Sequence, residues 1–283
     1  MSQMQEPSAL GRIVALVRDL RKRCPWDAAQ TSQSLRPYFV EEAAELDQAL
    51  ALDVPEQIRT ELGDVLLHVA FQIVLAEESG RFGAEDLVQA VERKMWKRHP
   101  HLFQPDGSWS DGGDPAPPQS ALTAQTVKDS WERNKLGERA NRSVLDGLPP
   151  TLPALVAAYR LQEKAAGVGF DWPDAAGPMA KVREETDEVV KEMEKGHKGQ
   201  ETLTDEIGDL LFAVVNLSRK LGIDPRAALE RTNRRFTERF RGVERLAAAR
   251  GLDLGTVGIA VLDGLWEEVK KGDTGDVGDV GDA

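Results

Sequence analysis

Residues 41–70 read EEAAELDQALALDVPEQIRTELGDVLLHVA, and this stretch decides the fold. Glu42 and Glu45 stand three apart, as do Glu61 and Asp64, and positions three or four apart share one face of a helix. Between the pairs, Asp53-Val54-Pro55-Glu56 reads as a turn, with Asp53 placed to cap and Pro55 in the first turn of the next helix. Glu45 lies 8 residues before Asp53 and Glu61 lies 8 after it. At a rise of ~1.5 Å per residue both sit ~12 Å from the turn. An antiparallel helical hairpin therefore brings the carboxylates to one level.

The pattern occurs twice. CPWDAAQT (24–31), EEAAE (41–45) and ELGDVLLHVA (61–70) in the first half answer to VGFDWPD (168–174), EETDE (184–188) and EIGDLLFAVV (206–215) in the second. A third element follows each, with Lys94 and Arg98 of ERKMWKRH matching Arg235 and Arg239 of NRRFTERF. Three matches in one order mark a duplicated helical module. The second quartet is Glu185, Glu188, Glu206 and Asp209, arranged about the turn 196–199.

Helix signals dominate the rest of the chain, and no segment sustains period-2 alternation, so the expected class is all-α. Helices are expected near 8–22, 35–52, 55–79, 84–98, 121–138, 151–166, 176–195, 201–221, 225–249 and 258–271. Residues 104–120, QPDGSWSDGGDPAPPQS, read as a linker or mobile loop, and the tail GDTGDVGDVGDA as disordered. The domains then run 1–103, a linker and connecting helix at 104–150, 151–272, and a tail at 273–283.

Composition bounds the function. The 283 residues carry 36 Lys+Arg against 48 Asp+Glu, a net charge of −12 that argues against nucleic-acid binding. The longest apolar run, VLLHVAFQIVLA, is too short to span a bilayer, which takes ~20 residues. A single cysteine excludes a disulfide framework, and the N-terminus has no signal layout, so a cytoplasmic protein without membrane partners is expected.

Both carboxylate helices are apolar nearly all round, Leu62, Val65, Leu66, Val69 and Ile73 in one and Ile207, Leu210, Leu211 and Val214 in the other, so both are expected to be buried. Converging carboxylates in such a setting repel one another and lose hydration unless a cation neutralises them. Oxygen ligands select a hard divalent ion, magnesium with manganese as a substitute. A di-iron bundle would need Glu-x-x-His on two helices; His68 follows Asp64 by four, but Ala213 stands in its place in the second copy, so His68 reads as structural. Arg235 and Arg239, at i and i+4, make a triphosphate clamp facing such a cage. Trp26 and Trp172 read as packing residues, with base stacking as the alternative.

On CPWD (24–27), EEAAE (41–45), ELGD (61–64), KRHP (97–100), VGFDW (168–172), EETDE (184–188), EIGD (206–209) and RRFTERFRGVE (234–244), the sequence resembles the MazG-type nucleoside triphosphate pyrophosphohydrolases from about residue 10 to 272. The resemblance implies two tandem four-helix-type modules completed by dimerisation into a homodimer. It implies magnesium-dependent hydrolysis of (d)NTP to (d)NMP and pyrophosphate, with the second module as the productive copy. It places metal ligation and catalysis on Glu185, Glu188, Glu206 and Asp209, and substrate contacts on Lys181, Glu184, Arg235 and Arg239, with Trp266 near the nucleoside. The first quartet, Glu42, Glu45, Glu61 and Asp64, is complete as a metal site, while its basic pair, Lys94 and Arg98, replaces one arginine by lysine. Two other functions remain open: a regulatory module that binds nucleotide without turnover, and a helical interaction scaffold.

Overall fold

The structure is a computed structural model that describes residues 8–110, 143–195 and 200–274. The chain divides into two compact units, Met1–Glu138 and Arg139–Ala283. Among the described residues regular structure is helical, and no helix is long and apolar enough to cross a membrane. The expected helix at 121–138, the turn 196–199 and the Gly-Asp tail beyond 274 lie outside the described residues.

The first unit contains α1 (Ala9–Arg23), α2 (Pro25–Ala29), α3 (Arg36–Leu52), α4 (Pro55–Glu78) and α5 (Ala84–Arg98). Ser8 Oγ caps α1 by accepting from Gly11 N at 3.0 Å. Asp53 does not cap α4: it ends α3 in the left-handed conformation, φ 53°, and Pro55 then opens α4 where its missing N–H costs nothing. Val14 and Val17 of α1 pack with Leu35 and with Phe71, Ile73, Val74 and Leu75 of α4 as the core. Arg18–Glu77 and Arg21–Glu78 pairs tie α1 to α4 along its edge. Arg21 also donates to the carbonyls of Asp27 and Gln30, fastening α2, a five-residue helix too short for its periodicity to show in the sequence.

Residues 104–110, read as the start of a linker, instead fold back on α5. Phe103 and Trp109 form an antiparallel bridge with ring centroids 4.8 Å apart, and Ser110 N donates to Leu102 O at 2.9 Å. Trp109, the one aromatic residue of this Gly- and Pro-rich stretch, supplies with Phe103 just before it the apolar contact that composition alone hides.

The second unit contains α6 (Ala154–Ala166), α7 (Ala176–Glu194), α8 (Gln200–Lys220), α9 (Pro225–Ala249) and α10 (Ile259–Thr274). Helices α7 and α8 form one hairpin, and α9 and α10 another. Asp224 caps α9 through Arg226 N and Ala227 N. The α9–α10 core is Val243, Ala247 and Leu265, with Trp266 and Val269 against it, and Arg250 pairs with Glu268 on its outside.

The carboxylate helices are not buried on all sides as their sequences suggest. In α4 burial is confined to residues 70–76, while Leu62 is 51% exposed; in α8, Leu211 is 56% exposed and Ile207 and Phe212 are also open. Periodicity reports that a face is apolar, not that the same chain covers it.

Candidate metal centre and adjoining cavity

In the second unit, Glu185 and Glu188 lie one turn apart on α7 and face Glu206 on α8. One carboxylate oxygen from each lies within 4.8 Å of the others. Asp209 follows one turn later on α8, and its charge joins those of Glu188 and Glu185 on Glu206. Burial first, and then these charges, hold the Glu206 carboxyl above its ordinary value. Glu185 is 4% exposed, and its Oε1 meets Lys181 Nζ at 2.5 Å while its Oε2 is buried without a hydrogen-bond partner. Lys181 also reaches Glu184 at 3.0 Å, and its hydrogen bonds to Glu185 and Glu184 raise its pKa. The structure brings together the trio that the spacing puts at one level, and it sets Lys181 and Glu184, which the family resemblance singled out, at its edge.

The first unit repeats the arrangement with Glu42, Glu45 and Glu61, again within 4.8 Å. Burial and the charges of Asp64, Glu45 and Glu61 raise Glu42; burial and the charges of Glu45 and Asp64 raise Glu61. His68 stands edge-to-face against Phe39, ring centroids 6.2 Å apart, with Nδ1 buried and unpartnered. Burial lowers its pKa against the opposing charge of Asp64. Trp26 stands 55% exposed, edge-on to Tyr38.

Three converging carboxylates with an orphaned, buried anionic oxygen suit a hard divalent cation, since one lysine neutralises only one of the oxygens present. The donor set is all oxygen, which fits magnesium or manganese better than iron or zinc.

Glu185, Asp209 and Lys181 also line a cavity of about 610 Å³ in this unit. Leu161, Phe170, Trp172 and Phe212 supply apolar walls, and Gln162, Asn216 and Arg219 the remaining polar groups. The strap VGFDW that carries the two aromatic residues is latched by Asp171, which accepts from Arg219 and from Lys220 at 3.2 Å; Lys220 also donates to Trp172 O at 2.6 Å. Burial works to raise the Asp171 pKa, and the hydrogen bonds from Arg219 and Lys220 more than reverse it. Gly169 turns the strap with φ +91°, and Trp172 lies so close over Gly177 that a Cβ there would meet the indole at 2.4 Å.

Asp171, Gln162, Asn216, Arg219 and Lys220 escaped the sequence reading. Their one signal is that Asn216 and Arg219 follow Asp209 by seven and ten residues, a polar line along an apolar helix. In the first unit the same positions after Asp64 are Phe71 and Val74, 4% and 2% exposed in the core, and Tyr38 stands where the second copy has Lys181.

The remaining predicted residues sit elsewhere. Arg235 is exposed and Arg239 half-buried on α9, Lys94 is exposed and Arg98 half-buried on α5, and none of them lines the cavity. Trp266 of α10 packs against Phe236 at 5.3 Å between ring centroids and on the α9–α10 core.

Comparison with known proteins places both clusters in one frame. Residues 30–103 and 177–243 each match the MazG nucleotide pyrophosphohydrolase domain. The chain is 39% identical over 271 residues to the nucleoside triphosphate pyrophosphohydrolase of Escherichia coli K12, covering 95% of this chain and 98% of that one. It is 38% identical over 265 residues to the nucleoside triphosphate pyrophosphohydrolase/pyrophosphatase MazG of Thermotoga maritima, covering 92% and 95%. A nucleoside triphosphate pyrophosphohydrolase of Mycobacterium tuberculosis is 31% identical over 159 residues, 56% of this chain.

Proposed function

We propose, since the chain belongs to the MazG nucleotide pyrophosphohydrolase family, that it hydrolyses nucleoside triphosphates to the monophosphate and pyrophosphate, with the second unit as the working copy. The observation that carries this reading is the convergence of Glu185, Glu188 and Glu206 with a buried, unpartnered oxygen on Glu185, inside the second matched segment. Asp209 completes the set.

Glu185, Glu188, Glu206 and Asp209 would hold a divalent cation, magnesium or in its place manganese, which when bound would neutralise charge on the phosphates and acidify the attacking water. Lys181, with Glu184 orienting it, meets the triphosphate, and Arg235 and Arg239 take the leaving pyrophosphate through their planar donors. Trp266 is the nucleoside contact that the family resemblance suggests. Water attacks the α-phosphorus, the α–β bridging bond breaks, and a ligand carboxylate steers the water and takes its proton.

Two differences support the second unit as the working copy: Lys181 against Tyr38, and Asn216 and Arg219 against Phe71 and Val74. The first unit keeps Glu42, Glu45, Glu61 and Asp64 without that lysine, which favours metal or nucleotide binding without turnover there. Open apolar faces at Leu62 and Leu211 support a homodimer, and the single cysteine suits a cytoplasmic setting.

The test is incubation with each NTP and magnesium, followed by anion-exchange separation of products. NMP plus pyrophosphate is expected, and Glu185→Ala should lower turnover at least about a hundredfold. NDP plus phosphate, or full activity in a Glu185→Ala, Glu42→Ala double variant, overturns the reading.

A further inference from the structure

We infer that Lys181 is a built-in counter-ion of the second carboxylate cluster, one that a divalent cation displaces readily only when a triphosphate receives the freed ammonium. The inference rests on the proposed activity for the identity of the incoming anion. It adds that cation and substrate enter this unit together, while the first unit has no such coupling.

Lys181 stands one helical turn before Glu185 on α7, and its ammonium bridges two unlike acids. It lies 2.5 Å from Oε1 of Glu185, which is buried, and 3.0 Å from Oε1 of Glu184, which is exposed. Glu185 is also the member of the trio whose other oxygen is buried without a partner. A divalent ion at that oxygen would share one carboxylate with the ammonium, and like charges so close repel strongly where water is scarce. A cation arriving alone must therefore break the ion pair or bear the repulsion.

The lysine is suited to yield. Its charge sits on a flexible four-carbon stem that is 43% exposed, and Glu184 keeps a hold on it when Glu185 lets go. Lys181 lines the same cavity as Glu185 and Asp209, so an anion in that cavity meets this ammonium. By linkage, an anion that draws the ammonium away raises cation affinity by the factor that the cation raises its own.

Helix stability does not account for the pair, because lysine four residues before glutamate is the weaker orientation on a helix. The duplicated module also dispenses with it. Tyr38 takes the position one turn before Glu42, and its ring stands edge-on to Trp26 with centroids 6.4 Å apart.

The test is titration of the full chain with Mn2+ in the absence of nucleotide, the free ion being read by electron paramagnetic resonance. With the first trio silenced by Glu42→Gln and Glu61→Gln, Lys181→Met should tighten Mn2+ binding about tenfold, the worth of one charge-assisted hydrogen bond that no longer has to break. Lys181→Arg should restore weak binding. With the second trio silenced by Glu188→Gln and Glu206→Gln, Tyr38→Lys should weaken Mn2+ binding by about the same factor. Binding of α,β-methylene ATP, followed by tryptophan fluorescence, should weaken in Lys181→Met, so that one substitution moves cation and nucleotide in opposite directions. Unchanged or weaker Mn2+ binding in Lys181→Met overturns the inference, since a lysine that only braced the fold would give that result. No loss in Tyr38→Lys, or nucleotide binding unweakened in Lys181→Met, overturns it too. The opposite movements without turnover of ATP would sink the proposed activity and leave the counter-ion standing; turnover with unmoved Mn2+ affinity would do the reverse.

Discussion

Lys181 lies one helical turn before Glu185, and its ammonium reaches one oxygen of that carboxylate at 2.5 Å while the other oxygen stays buried and unpaired. The chain thus neutralises half of its most buried acid and leaves the rest for a ligand.

Replacing Lys181 by Met is expected to raise KM for the triphosphate about tenfold or more, since a charge-assisted contact to phosphate is lost. The folded pKa of Lys181 is raised, so its contribution to stability is present below the ordinary value of 10.5 and lost only as pH climbs through the higher folded value. Melting curves of the two proteins should differ by the same amount at pH 7 and pH 9.

Glu206→Gln is expected to stabilise the metal-free protein at pH 7. A carboxyl whose folded pKa is raised favours the folded state while protonated, and that advantage is lost as pH rises through the folded value. Removing the charge should raise Tm at pH 7, and the gain should shrink as pH falls. The same variant should lose the rise in Tm that magnesium gives the parent protein, and that rise should fade as pH falls and protons compete for the carboxylates. Calorimetry with and without EDTA checks both.

Asp171→Asn should cost about 2 kcal/mol at pH 7, the scale of hydrogen bonds to a charged group. Its folded pKa is lowered, so the stabilisation is present above the ordinary 3.8 and is lost as pH falls through the folded value. Denaturant titrations at pH 7 and below pH 3.8 should show the gap between variant and parent narrowing.

Leu211→Asp should convert a dimer to a monomer in sedimentation, because Leu211 is 56% exposed on a helix whose neighbouring Ile207 and Phe212 are also open. No change in mass would show that this face is not the interface.

The local grammar of the site was legible. Glu42, Glu45 and Glu61 could be placed together because i, i+3 spacing and a hairpin turn fix their level, and the second copy repeated the answer. Pro55 and the apolar stripe of α4 marked that helix. What stayed hidden depends on contacts across the chain. Arg219 finds Asp171 48 residues away, and nothing in local spacing shows that pair. Leu62 and Leu211 looked buried because periodicity cannot name the surface that covers a stripe. Trp109 lies in a Pro- and Gly-rich run whose composition suggested a linker, yet its ring closes a turn with Phe103.

The exchange of Asn216 and Arg219 for Phe71 and Val74 also bears on how the chain breathes. One copy has spent those positions on dense packing, while the other holds a hollow of about 610 Å³ bridged by a few polar ties. Open space with few buried apolar contacts is the usual seat of early local unfolding. Heating should therefore loosen the second unit first, and a bound nucleotide should delay that event while leaving the melting of the first unit where it was. If the second unit is the working copy, as proposed, the duplication separates endurance from chemistry within one polypeptide.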